Sequence, residues 1–204
     1  MNRPFLRCGT VCLLAATLGA CASAPAIRFH TLVAPASTTA PASPALLDRL
    51  DIASVIVPAG VDRQELVVRQ GTAGLGLLEN DRWSAPLADE LRQALANSLG
   101  STLGARNVSG LPSPVDADVL QIRVAVRSFE LQAGAKAILT ADWTLERAAR
   151  RELPTLTCST RLSAEAGNTA SSMVEAQQKL VQTLASALDA GARAQASGSA
   201  RCPD

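Results

Sequence analysis

The chain has 204 residues, of which 48% are hydrophobic and 18% charged, and its formal net charge is +1. That length accommodates one domain with a substantial core, and the balanced charge leaves no basic stripe of the kind that holds nucleic acid. Residues 1–20 carry Arg3 and Arg7, then an apolar run from Val11 to Leu18, then Gly19 and Ala20 directly before Cys21. A positive start, a short apolar stretch and small residues before the cut describe a secretory signal too short to span a bilayer. The cysteine placed immediately after the small pair makes it a lipoprotein signal: cleavage falls between Ala20 and Cys21, and Cys21 becomes the acylated N-terminus. An ordinary secretory cut near Ala24 is the competing reading, and it would discard Cys21. Ala22 and Ser23 follow the cysteine; without an inner-membrane-retaining aspartate there, the expected address is the periplasmic face of the outer membrane. The covalent lipid on Cys21 is then the anchor, and no cofactor is expected.

Residues 21–26 form a short tether. A single α+β domain is expected over 27–204. Its first strand runs from Ile27 to Val33. A Pro/Ala/Ser/Thr-rich stretch at 34–45 has too little to bury and reads as a loop. Ile52 to Val57 reads as a second strand, Leu66 to Arg69 as a third and Leu75 to Leu78 as a short fourth. Gly71, Gly74 and Gly76 do not make a phosphate loop, since no Lys-Ser/Thr pair and no helix follow them. Asp81-Arg82-Trp83-Ser84-Ala85-Pro86-Leu87 then opens a helix to about Leu103, with Ser84 as its cap and Pro86 tolerated in the first turn. Leu87, Leu91, Leu95, Leu99 and Leu103 recur every four residues and form one apolar stripe suited to lie on a sheet. Trp83 reads as a core anchor at the helix entrance, with a contact role as the alternative.

Val119 to Phe129 is the clearest strand. Leu120, Ile122, Val124 and Val126 share one face, and Gln121, Arg123 and Arg127 the other. Ala137 to Leu145 and Thr155 to Leu162 repeat the alternation, with Leu139, Ala141, Trp143 and Leu145 inward on one and Leu156, Cys158 and Leu162 on the other. Short connections between these strands argue an antiparallel meander. Ser172 to Glu175 has the form of a capping box and opens a last helix carrying Met173, Leu180, Leu184 and Leu188, fading near Gly191. A flexible tail follows from about 194. The expected architecture is a mainly antiparallel sheet with two amphipathic helices packed on one face.

Chemistry-bearing clusters are scarce. His30 is the lone histidine and stands near the tether, in a structural or solvent-facing role. Asp116 and Asp118 read as turn formers rather than a metal pair, Glu146 and Glu152 sit among arginines in what reads as a solvated turn, and no metal site is expected. No catalytic residue is assigned, and the chain is not read as an enzyme. Cys158 and Cys202 are the two cysteines left once Cys21 is acylated. In an oxidising compartment they read as a disulfide; the alternative is a buried Cys158 and a free Cys202.

Several stretches together resemble the PqiC (YmbA-like) family of ABC-type transport auxiliary lipoproteins. They are Phe29-His30-Thr31-Leu32, Asp62 to Arg69, Arg82-Trp83-Ser84-Ala85-Pro86-Leu87, Asp118 to Phe129, and Trp143. Gln64 and Ala85 depart from the family pattern, which has proline and glutamate there. The resemblance implies a non-enzymatic outer-membrane lipoprotein whose partner is an MCE-domain lipid transport protein, and it is compatible with a homo-oligomer. Trp83, Pro86, Leu87 and Trp143 are its structural anchors. Arg123 and Arg127, on the polar face of their strand, are the candidate partner contacts. A lipid-carrying domain, and a scaffold for cell-wall or secretion machinery, are the alternative functions.

Overall fold

In the computed structural model, residues 25–35, 45–112, 117–147, 149–199 and 201–203 are described. The expected signal with Ala20, the expected lipidation site Cys21, most of the 34–45 loop and Asp116 lie outside them. Chain order gives β1 (Arg28–His30), β2 (Arg49–Ile56), β3 (Glu65–Gln70), β4 (Gly74–Trp83), α1 (Leu87–Leu103), β5 (Arg106–Asn107), β6 (Val119–Leu131), β7 (Lys136–Arg147), β8 (Leu156–Glu165) and α2 (Ala170–Ala196). These form an α+β fold.

The strands build two sheets, in the orders β1-β4-β3 and β5-β2-β6-β7-β8. Only β3-β4, β6-β7 and β7-β8 pair antiparallel; β1 with β4, and β2 with both β5 and β6, run parallel. The expected antiparallel sheet is therefore a pair of mixed sheets. The reason is chain length between partners: β3, β4 and α1 intervene between β2 and β6, and a long crossover is what parallel neighbours require. The meander of β6, β7 and β8 is antiparallel as its short turns dictate.

Both helices lie against the large sheet, α1 on β2 and α2 on β7 and β8, and they touch each other. Leu87, Leu91, Leu95, Leu99 and Leu103 of α1 are all buried, as are Leu180, Leu184 and Leu188 of α2. Leu120, Ile122 and Val124 of β6 meet them with Leu139, Ala141, Trp143 and Leu145 of β7 in one continuous apolar cluster. Gly191 is no helix end. An added Cβ there would come within 2.9 Å of the Trp143 ring, so the missing side chain lets α2 pass close over β7. Gly104 closes α1 in the left-handed region (φ 66°) that glycine occupies at low cost.

Three local expectations change. Asp81, Arg82 and Trp83 belong to β4 rather than to the helix entrance, because β1 and β3 flank that end of the strand and pair with it. Pro86 stands at the N-cap of α1 without a side-chain cap, since the Ser84 hydroxyl is committed to Glu90 instead. Thr169, not Ser172, caps α2; Ser172 is the third helical residue and returns the second bond of the capping box.

Candidate functional site

Two surfaces carry most of the polar chemistry. The first is the junction where the N-terminal segment enters the domain. Arg28 Nε and Nη2 donate to the two oxygens of Asp81 at 2.9 and 2.8 Å, and His30 Nε2 lies 2.8 Å from Asp81 Oδ1. Asp81 is buried. Burial pushes its carboxyl up, but the hydrogen bonds from Arg28 and His30 outweigh this and hold it below the usual carboxylate range. Two residues further along, Thr31 Oγ1 and the Leu32 N–H donate to Glu90 Oε2 at 2.7 and 2.8 Å, and Ser84 Oγ donates to Glu90 Oε1. Two buried acids, one on β4 and one on α1, thus grip residues 28–32. Neither grip was read from the sequence, although Glu90, three residues after Leu87 on the apolar side of α1, was a visible signal. His30 takes a structural role here.

The second surface is the face of the large sheet turned away from the helices. Arg123 Nη1 lies 3.2 Å from Glu146 Oε2, and its Nη2 donates to Gln121 Oε1 at 3.3 Å. Arg127 Nε donates to Asp142 Oδ2 at 2.7 Å, and that bond, with help from the Ser159 hydroxyl, holds the Asp142 carboxyl below its ordinary range. Arg127 is the unpaired residue of a bulge between Val126 and Ser128, which lets it reach back across to β7. Arg123, Arg127 and Asp142, with Ser54, Ile56 and Thr144, line an open depression of about 650 Å³. The arginines thus stand on the polar face, but each is matched to an acid. Glu146 belongs to β7 rather than to a turn, Arg147 next to it is buried against Asp118, and Glu152 stays exposed beside Arg150.

Trp83 is buried and meets Phe129 of β6 edge-on, with ring centroids 6.2 Å apart. Trp143 is buried under α2, its Nε1–H donating to Thr160 Oγ1 at 2.9 Å. Leu87 is fully buried. Cys158 and Cys202 are joined in a disulfide, with Cα atoms 5.7 Å apart. β8 is an outer strand of the large sheet, and Cys202 Sγ lies 3.4 Å from the Thr157 carbonyl oxygen. The bond therefore pins Cys202 to β8 beside the depression of the open face, which Cys158 and Cys202 also line. It closes a loop with a sequence separation of 44. Reducing it, or Cys202→Ser, should cost about 3–4 kcal/mol in the chain-entropy picture, read as a lower urea midpoint. Two reactive thiols in denatured, unreduced protein would refute the bond.

Among the described residues no group of His, Cys, Asp and Glu is arranged to hold a metal ion, and no helix is long and apolar enough to cross a membrane. The family described as "ABC-type transport auxiliary lipoprotein component" matches residues 30–188. The chain belongs to that family. The match begins at His30, inside the grip on the entering segment, and ends at Leu188 in α2. It takes in both sheets except the start of β1, together with the paired arginines. The auxiliary-lipoprotein fold is shared with two solved structures. One, described as an uncharacterized protein, has a TM-score of 0.63 and 17% identity over 81% of this chain and 98% of its own. The other, protein XCC0632 from Xanthomonas campestris, of the family called DUF330, has a TM-score of 0.63 and 14% identity over 83% of this chain and 97% of its own. No curated protein matches the chain by sequence.

Proposed function

We propose that this auxiliary lipoprotein is a non-enzymatic docking subunit at the outer membrane. Anchored through Cys21 and facing the periplasm, it receives the far end of an MCE-type lipid transport assembly. The family match over residues 30–188 carries the reading. Two physical features support docking over lipid carriage. The leucines of α1 and α2 are spent closing the core, whereas a lipid carrier needs an enclosed apolar cavity in which acyl chains are desolvated. The open face of the large sheet carries the Arg123–Glu146 and Arg127–Asp142 pairs, and Arg123, Arg127 and Asp142 border an open depression there. Charged pairs beside the exposed Ile56 suit a protein contact of mixed character.

The domain should be captured by the periplasmic part of an MCE protein, and without stoichiometric phospholipid by mass spectrometry. Arg123→Glu with Arg127→Glu would set like charges against Glu146 and Asp142 and against an acidic partner alike. The double variant should weaken capture roughly tenfold at low salt, and less as salt rises. One lipid bound per domain with no capture by any MCE protein would favour the carrier function, and capture by cell-wall or secretion components alone would favour a scaffold.

A further inference from the structure

Aromatic residues are rare in this chain, with three phenylalanines, two tryptophans and no tyrosine. Past the signal they are Phe29, Trp83, Phe129 and Trp143. Trp83, Phe129 and Trp143 are 3%, 6% and 1% exposed, whereas Phe29 is 67% exposed. Ile27, the residue just before β1, is 49% exposed as well. The pair is held in place rather than frayed. Arg28 and His30 alternate with it and turn the other way into Asp81, and β1 is hydrogen-bonded to β4 along its length. The fold has therefore set two exposed apolar side chains together, Phe29 on a clamped strand and Ile27 at its entrance.

What covers the pair follows from where the chain leads. Residues 21–26 separate Cys21 from Ile27, and an extended stretch of that length reaches at most about 20 Å. An acylated Cys21 sits at the lipid surface, so Ile27 and Phe29 stay within reach of the headgroup region. An apolar side chain presented there gains by entering the boundary between headgroups and acyl chains. Arg82, the cross-strand partner of Phe29, brings a cation beside the pair that suits lipid phosphates.

We infer that Ile27 and Phe29 are a second foothold on the bilayer, seated in the lipid interface beside the anchor; this rests on the lipid-anchored reading above. The acyl chains hold the protein on the membrane, and the foothold sets how the domain stands on it.

The test uses the full-length acylated protein in vesicles of phosphatidylethanolamine and phosphatidylglycerol carrying brominated acyl chains. Phe29→Trp introduces one indole at the proposed foothold, over a background from buried Trp83 and Trp143. The expected result is loss of most of the added emission to the bromines, a shift of that emission to shorter wavelength, and protection from aqueous iodide. Ile27→Ser in the same protein should reduce the bromine quenching and restore quenching by iodide. An acylated protein whose added indole stays open to iodide and untouched by bromolipid overturns the foothold alone, as does a shift seen only when an MCE domain is added. A Cys21 found unacylated by mass spectrometry removes the anchor and the foothold together.

Discussion

Trp83→Ala should lower the stability of the domain by about 3–5 kcal/mol, a large part of what a domain of this size possesses. The indole is 3% exposed and stands at the end of β4, opposite His30 of β1. Its ring meets Phe129 of β6 edge-on. It therefore links the small sheet to the large one, and alanine leaves a cavity that the sheet backbones cannot collapse to fill. An edge-on aromatic pair adds about 0.5–1.5 kcal/mol beyond its buried area, so Trp83→Phe should recover part of the loss. Urea unfolding of the oxidised protein, followed by far-ultraviolet circular dichroism, measures both. Partner capture should fall only in step with the folded fraction. A Trp83→Ala protein of unchanged midpoint that no longer binds would make this side chain a contact residue.

The parts of this fold that follow from periodicity could be read before the structure. Leucine every fourth residue from Leu87 to Leu103, and strict alternation from Leu120 to Val126, reflect burial of one face, and burial of one face is local information. The bulge was not read, although the sequence carries its mark. Val126-Arg127-Ser128-Phe129 puts two polar residues in succession, and the extra one is what turns Phe129 and Leu131 back to the core. Strand partners separated by long stretches were not legible. Nothing in Arg49 to Ile56 says that it pairs parallel with β6 across β3, β4 and α1, because that choice depends on the crossover rather than on either strand. The last residues of β4 were hidden for another reason. Glu79, Asn80, Asp81 and Arg82 have the composition of a turn, and only the bonds from Arg28 and His30 make the buried Asp81 tolerable in a strand.

The candidate contacts show a similar division. Alternation put Arg123 and Arg127 on the polar face, and they stand there, but their pairing with Glu146 and Asp142 depends on the β6–β7 register. A partner must therefore compete with existing ion pairs in water, where exposed pairs are screened and contribute little to stability. The disulfide was readable from the expected compartment and the cysteine count, while its place beside the open-face depression was not.

Glu90 gives the most discriminating substitution. It is 2% exposed on α1, three residues along from Leu87, at a place where leucine would satisfy the apolar stripe. Its Oε2 accepts from Thr31 Oγ1 and from the Leu32 N–H, and its Oε1 from Ser84 Oγ. Glu90→Leu removes every acceptor at once. The Thr31 and Ser84 hydroxyls can turn elsewhere, but the Leu32 N–H is left in a buried position, and stranding such a donor costs roughly 1–3 kcal/mol. Glu90→Gln should cost far less. Its amide oxygen can serve Leu32 and Thr31, and its NH₂ can donate to the Ser84 hydroxyl, which is able to accept. Leucine should thus unfold the entering segment where glutamine does not, against the ordering that hydrophobicity alone gives. Hydrogen exchange at the Leu32 amide is the local readout and the urea midpoint the global one. Loss of protection in Glu90→Leu with retention in Glu90→Gln is the expected pair of results. Equal protection in both variants would mean that Glu90 does not hold the entering segment, which would then rest on the β1–β4 pairing, on Asp81 and on the bond from Gln178 Nε2 to the Thr31 carbonyl.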